Sequence, residues 1–141
     1  MKEYMKLAYK LANKAYIKGD VPVGTVIVYK NKVIAKAYNK KEKNNNAVKH
    51  AELIAIYQAC KKLKTWHLEE CTLYTTLEPC LMCTGAIIQS RIGKIYYATA
   101  NPNFGEIDNL KKYNKQIKIN KGLLEKESSE LLKKFFKEKR K

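Results

Sequence analysis

The chain has 141 residues, 45% of them hydrophobic, and its 29 basic and 13 acidic residues give a formal charge of +16. This length and composition indicate one globular domain over residues 1–141 with a buried core, and they exclude a disordered chain. No apolar run reaches the roughly 18 residues that span a bilayer, and the N-terminus lacks the apolar core of a signal peptide. We therefore expect a cytoplasmic protein with no membrane segment.

Helical periodicity and β-branched runs predict helices that alternate with five strands. In chain order they predict a helix over 3–18, a hairpin of strands over 21–30 and 32–39, a polar loop over 40–49, a helix over 50–63, a strand over 71–76, a helix over 80–90, a strand over 94–98, an irregular connection with a short helix over 101–114, an edge strand over 116–120 and a basic C-terminal helix over about 123–141. This alternation predicts an α/β domain of three layers, α/β/α, around a central mixed five-stranded sheet.

Three of the predicted helices carry an apolar stripe that we expect to face the core. In the first helix it consists of Tyr4, Leu7, Ala8, Leu11 and Ala15. In the helix over 50–63 the stripe consists of Leu53, Ile56, Cys60 and Leu63. In the C-terminal helix it consists of Leu131, Leu132, Phe135 and Phe136. Cys60, and Cys71 in its buried strand, are therefore expected to be core thiols rather than metal ligands.

The positive charge predicts attraction to a polyanion, first of all RNA or DNA. Only Arg91 and Arg140 are arginines, and all the other positive charges are lysines. Arginine makes most of the specific contacts with phosphates and bases. Because Lys, Asn, Ile and Tyr share AT-rich codons, the charge also fits a compositionally biased genome, and both interpretations stay open.

The stretch TTLEPCLMCTGA places Cys80 and Cys83 three residues apart, directly after a proline. This spacing fits a redox pair, half of a structural zinc site, or two core cysteines. Residues i and i+3 share one face of a helix, so both sulfur atoms can reach one ion. The N-terminus of a helix also favours thiolates, because the helix dipole is positive there.

His50-Ala51-Glu52 opens the helix that precedes this stretch. One histidine and two cysteines make three ligands and leave a fourth position open, which is typical of catalytic zinc, and Glu52 remains as a spare carboxylate. H-x-E…P-C-x-x-C is the signature of zinc nucleobase deaminases. Because residues i and i+2 do not share a helix face, His50 and Glu52 can face one site only if His50 lies in the first turn or at the cap.

Five stretches extend the pattern beyond this signature: VPVGTVIV (21–28), YN (38–39), HAELIAI (50–56), TLYTTLEPCLMCTGAIIQSRIGKIYYA (72–98) and LLKKFFKEKR (131–140). On these stretches the chain resembles the bacterial tRNA adenosine deaminases, the TadA family of the cytidine-deaminase superfamily. The resemblance covers nearly the whole chain. It implies that the protein hydrolytically deaminates the wobble adenosine of a tRNA anticodon to inosine and releases ammonia.

The resemblance also implies a role for each site residue. His50, Cys80 and Cys83 would bind one zinc ion per subunit, and Glu52 would be the catalytic proton shuttle. The implied substrate-binding residues are Asn39, which would hydrogen-bond the target base, the backbone of Ala51, and Pro22, Val23, Leu77 and Asn101. The basic C-terminal helix would lie near the RNA, with Phe135 and Arg140 as candidate contacts. The implied partners are the anticodon stem-loop and a second copy of the chain, since a homodimer completes the pocket.

The chain departs from the family pattern at NPNFG, residues 101–105. Asn101 stands where the family usually has an aspartate, and Asn103 where it usually has a lysine. The loop up to Asn114 is also shorter than usual. We therefore expect a relaxed preference for tRNA, or for RNA over DNA, with the chemistry unaffected.

Three other functions remain as alternatives. The first is a deaminase of a free nucleobase or nucleoside such as guanine or cytosine. The second is a catalytically inactive zinc module that only binds RNA, although such a module does not need Glu52. The third is a CxxC oxidoreductase, which would hold no zinc.

Overall fold

The computed structural model describes residues 1–42 and 44–139 and contains one mixed sheet with helices on both faces. The strands are β1 (Gly24–Tyr29), β2 (Lys32–Tyr38), β3 (Cys71–Leu77), β4 (Lys94–Thr99) and β5 (Lys118–Lys121). The helices are α1 (Lys2–Ile17), α2 (Ala51–Leu63), α3 (Leu81–Ser90), α4 (Leu110–Tyr113), which follows a 3₁₀ turn at Ile107–Asn109, and α5 (Glu125–Lys139). None of the helices in these residues has the length and apolar character needed to cross a bilayer.

The strand order is β2-β1-β3-β4-β5. β1 pairs antiparallel with both β2 and β3, whereas β3, β4 and β5 run parallel to one another. The parallel strands need crossover connections, and α3 supplies the first of them. The three-layer α/β fold predicted from the sequence is confirmed.

Alternate residues of the strands face two separate cores. On one side, Ile27, Leu73 and Ile95 pack with the buried faces of α2 and α3. On the other side, Val26 and Tyr74 pack with α1, and Leu123 and Leu124, which directly precede α5, pack against this second core. The two helices that carry the zinc signature therefore lie on the same face of the sheet.

Gly24 allows α1 to lie directly on β1. A methyl group at this position would overlap the backbone of Ala8 and Ala12 on the helix. Beside this contact, Tyr74 stacks on Tyr96 with ring centroids 4.8 Å apart and also contacts Tyr4. Burial raises the pKa of Tyr74 to about 12.

The buried face of α2 differs from the predicted stripe. Ala55 and Ala59 are fully buried against the sheet, whereas Leu53 is only half-buried. Small side chains let the helix axis approach the sheet closely, so the alanines form the contact and the larger Leu53 lies at its margin. Cys60 packs at the edge of the core and Cys71 lies within it, as predicted.

The predicted stripe of α5 is also modified. Leu131, Leu132 and Phe135 are buried, but the Phe136 side chain is 46% exposed. The buried residues Ser128, Leu131, Leu132 and Phe135 follow the i, i+3, i+4, i+7 spacing of one helix face, and Phe136 lies beyond the edge of that face.

Candidate active site

The N-termini of two helices meet at the candidate site. His50 is the N-cap residue of α2 and Cys80 is the N-cap residue of α3, and both have extended backbone conformations. The Nδ1 atom of His50 lies 3.8 Å from the Cys80 sulfur and 3.6 Å from the Cys83 sulfur. All three donor atoms lie within 4.8 Å of one another.

His50 can face the same site as Glu52 because it is the N-cap residue of α2. An N-cap residue stands outside the helical path, so its side chain is not bound by the spacing that separates residues i and i+2 on the helix. Glu52 lies in the first turn of α2, and its side chain is only 4% exposed. Burial raises the pKa of the Glu52 carboxyl to about 7, although a backbone hydrogen bond opposes the shift.

The two thiols of the site differ in acidity because they share a hydrogen bond. This bond with Cys83 is the main cause that lowers the pKa of Cys80 to about 3, and the contact with His50 lowers it further against the effect of burial. The same bond, together with burial, raises the pKa of Cys83. The hydrogen bond with Cys80 also raises the pKa of His50, which burial opposes.

These residues fit a bound metal ion. Two sulfur atoms and one imidazole nitrogen match the three protein ligands of a catalytic zinc site, which keeps its fourth position open. A metal ion can take the place of the protons that the two thiols and the imidazole share in their hydrogen bonds. Cys60 and Cys71 are not members of this group of donor atoms, and they lie against and within the hydrophobic core. The geometry therefore brings together the three predicted ligands and keeps the other two cysteines apart from them.

Asn39 joins the end of β2 to the start of α2. Its side-chain oxygen accepts a hydrogen bond from the Ala51 backbone N–H at 2.7 Å. Its own backbone N–H donates to the Val23 carbonyl oxygen at 3.1 Å. Asn39, Ala51 and Val23 were all predicted to contact the substrate, and the structure connects them to one another and to the helix that carries His50.

The remaining predicted substrate residues lie in two segments. Pro22 is buried in the chain that leads into β1, and Leu77 and Asn101 are half-buried near the ends of β3 and β4. Arg140 lies outside the residues that the structure describes. Phe135 is only 6% exposed and packs against Tyr16, whereas the adjacent Phe136 is 46% exposed.

Sequence reasoning missed two carboxylates that hold segments of the site. Asp20 is buried, and its carboxylate accepts the backbone N–H groups of Val21 and Glu42 at 2.9 and 2.8 Å. Glu78 accepts two further backbone N–H groups, from Asn101 and Ile107. Of these two carboxylates, only Glu78 stands next to the zinc signature in the sequence, directly before Pro79-Cys80, and could have been noticed there.

The comparisons with known proteins agree with this site. The family described as MafB19-like deaminase matches residues 1–140. The chain is 44% identical to the tRNA-specific adenosine deaminase of Bacillus subtilis (strain 168), over 98% of this chain and 89% of that protein. It is 41% identical to the tRNA-specific adenosine deaminase of Aquifex aeolicus (strain VF5), over 96% of this chain and 94% of that protein.

Solved structures show the same similarity. A structure from a study of A-to-I editing by tRNA:A34 deaminases at the wobble position of transfer RNA has a TM-score of 0.88 and 34% identity, over 94% of this chain and 100% of that one. A guanine deaminase from Bacillus subtilis has a TM-score of 0.68 and 36% identity, over 74% of this chain and 71% of that one.

The fold and the ligand group thus define a deaminase. The chain belongs to the MafB19-like deaminase family, and it is a relative of the proteins named tRNA-specific adenosine deaminase. The resemblance recognised from the sequence stretches is confirmed.

Proposed function

We propose that this protein hydrolytically deaminates the wobble adenosine of tRNA to inosine and releases ammonia. The observation that carries the proposal is the group of His50, Cys80 and Cys83 with the buried Glu52 beside it. Support for tRNA as the substrate comes from the relatives, which are named tRNA-specific adenosine deaminases at 44% and 41% identity. The single deaminase domain is proposed to extend over residues 1–141.

His50, Cys80 and Cys83 would hold one zinc ion per subunit. When bound, zinc supplies a water molecule that is acidic enough to act as a nucleophile near neutral pH. Glu52 takes the proton of this water and delivers it to N1 of the purine. The water oxygen would form a bond to C6, and Glu52 would carry the proton of the resulting hydroxyl group to the amino group. The C6–N bond then breaks, so that ammonia leaves and a carbonyl group remains at C6.

The environment of the Glu52 side chain suits this transfer of protons. A carboxyl group whose pKa lies at about 7 can both accept and return a proton at neutral pH. Its burial keeps bulk water from exchanging with the transferred proton. Asn39 is proposed to donate a hydrogen bond from its side-chain NH₂ group to the base, because its oxygen is already bonded to Ala51.

The RNA is proposed to bind as an anticodon stem-loop. Its bases are already splayed, which lowers the cost of moving adenosine out of the stack into the pocket. The basic face of α5, with exposed Lys133 and Lys137, is proposed to lie near the phosphates. A cytoplasmic location follows from this substrate, and the four free cysteines fit a reducing compartment.

The second proposed partner is another copy of this chain, which would form a homodimer with it. Tyr57 on α2 is 69% exposed, and Trp66 and Leu81 are also exposed large apolar side chains of the α2 and α3 region. An apolar groove runs between these helices and is lined by Ile56, Cys60, Trp66, Ala86, Gln89 and Ser90. Clustered exposed apolar surface of this kind marks protein interfaces.

Light scattering tests the homodimer. The wild-type protein should have twice the mass of one chain, and the double variant Tyr57→Ala/Trp66→Ala should have the mass of a single chain.

One experiment tests the function directly. The purified protein is incubated with total tRNA, with an isolated anticodon stem-loop and with free guanine, and inosine positions and ammonia release are measured. Inosine at the wobble position supports the proposal. Ammonia from guanine without inosine in tRNA would instead assign the protein to the activity of its guanine deaminase neighbour.

A further inference from the structure

The Glu78 carboxylate holds a segment that is distant in the sequence. One oxygen accepts the backbone N–H of Asn101 at 3.1 Å, and the other accepts the backbone N–H of Ile107 at 3.1 Å. Both ends of the segment from Asn101 to Ile107, here called the 101–107 segment, are thus bonded to one side chain. Hydrogen bonds that involve a charged group are stronger than neutral ones.

Gly105 lies against the same carboxylate. A methyl group at this position would overlap the Cδ and both oxygen atoms of Glu78. The backbone of Gly105 is not in the left-handed region, where only Gly19 and Gly122 are found among the described glycines. The absence of a side chain at Gly105 is therefore required by the close approach of the carboxylate, and not by the backbone conformation.

The 101–107 segment is attached beside a metal ligand. Glu78 stands two residues before Cys80, and the Pro79 carbonyl oxygen accepts the Glu106 backbone N–H at 3.1 Å. Within the segment, the Asn101 side chain accepts the Phe104 backbone N–H at 3.2 Å and closes a turn. The Phe104 side chain at this turn is 70% exposed. The segment therefore presents a fixed, partly apolar surface next to the half-buried Cys80.

We propose that Glu78 is a positioning residue that fixes the 101–107 segment as one wall of the substrate entrance. This inference rests on the proposed function, and it adds that the nucleotides flanking the target adenosine bind against this wall. Glu78 acts through the segment and does not touch the reacting atoms. Asn101 and Asn103, the residues at which the chain departs from the family pattern, lie on the wall that Glu78 holds.

Two substitutions should damage the same contact from opposite sides. Glu78→Ala removes both acceptors, and Gly105→Ala pushes the carboxylate away from the N–H groups. Each should raise the KM for an anticodon stem-loop about tenfold and change kcat less than about threefold, because binding rather than the chemical step is weakened. Glu78→Gln keeps one acceptor oxygen and should give an intermediate KM.

The double variant Glu78→Ala/Gly105→Ala tests whether the two substitutions act on the same contact. Two unrelated structural defects would add, whereas two changes to one contact would not. Once Glu78 is alanine, a methyl group at Gly105 meets no carboxylate, so the second substitution should add less than about a twofold effect. Additive effects of the two substitutions would overturn the proposal. Loss of zinc from Glu78→Ala, or a fall in kcat at unchanged KM, would also overturn it.

A binding measurement separates this inference from the proposed function. The dissociation constant of the stem-loop is measured in the Glu52→Ala background, so that the substrate is not converted during the measurement. Removal of the negative charge of Glu78 should by itself strengthen RNA binding, so weaker binding of Glu78→Ala indicates loss of the wall. Asp108→Ala, an exposed carboxylate nearby, serves as the charge control. Equal dissociation constants for Glu78→Ala and Asp108→Ala would refute the role of Glu78. Binding of the stem-loop by the wild-type protein without any inosine formation would refute the proposed function alone.

Discussion

The side-chain oxygen of Asn39 accepts a hydrogen bond from the backbone N–H of Ala51 at 2.7 Å. This bond satisfies one of the N–H groups that a helix leaves without a partner in its first turn. It also orients the amide, since only the oxygen can face a donor. The NH₂ group of Asn39 is consequently the part of the side chain that is available to a substrate.

Asn39→Asp should separate the two roles of this side chain. A carboxylate can still accept the Ala51 N–H and interacts favourably with the positive end of α2, so the melting temperature should change little. It cannot donate to the base, and kcat/KM should fall by about 10²-fold or more. Asn39→Ala should lose activity and also about 1 kcal/mol of stability. Full activity of Asn39→Asp would contradict the assigned role.

Glu52→Ala should keep the metal and lose the reaction. The three ligand atoms belong to other residues, so zinc content measured by atomic absorption should be unchanged. Ammonia release should fall by about 10²–10⁴-fold, the usual contribution of a positioned acid–base group. Glu52→Gln, which nearly preserves shape, should behave in the same way. Turnover at the wild-type rate in either variant would exclude Glu52 as the proton shuttle.

Cys83→Ser should remove the metal, whereas Cys60→Ser should not. Cys83 contributes one of the three clustered donor atoms, and Cys60 lies at the edge of the core. We expect about one zinc ion per chain in the wild type and in Cys60→Ser, and almost none in Cys83→Ser. In chelator-treated protein, iodoacetamide should modify Cys80 before Cys71, because the pKa of Cys80 is lowered and that of Cys71 is raised.

Stability should fall at high pH because of Tyr74. Burial raises the pKa of Tyr74 from 10.0 to about 12, so between these values the unfolded chain loses the proton while the folded chain keeps it. The stabilisation is complete below pH 10 and is lost as the pH rises towards 12. Denaturant unfolding at pH 9 and 11 should show a smaller loss for Tyr74→Phe than for the wild type. The exposed Tyr113→Phe is the control and should resemble the wild type.

The two adjacent phenylalanines of α5 should respond differently to substitution. Phe135 is buried against Tyr16, so Phe135→Ala should cost about 3–5 kcal/mol of unfolding free energy. Phe136 is half-exposed, and Phe136→Ala should cost less than about 1 kcal/mol. Thermal and denaturant unfolding measure both values. A larger loss for Phe136→Ala would show that the helix is rotated relative to the structure.

Several features of the fold and site could be predicted from local sequence. Alternating β-branched runs and helical stripes located the five strands and the main helices, because these periods belong to the backbone itself. The group of residues that could hold a metal ion was predictable for a related reason. Soft ligands are chemically uncommon residue types, and His50, Cys80 and Cys83 stand at the starts of two helices, where their spacing is visible along the chain.

Tertiary contacts decided the rest. Which face of α2 is buried depends on how closely the helix approaches the sheet, and this favours Ala55 and Ala59 over Leu53. The bonds of Glu78 to Asn101 and Ile107 join residues more than 20 positions apart, through backbone groups that carry no residue signature. The sequence by itself therefore determined the chemistry of the site, since that depends on residue type. Only the folded chain decided how the walls around the site are held, since that depends on distances between segments.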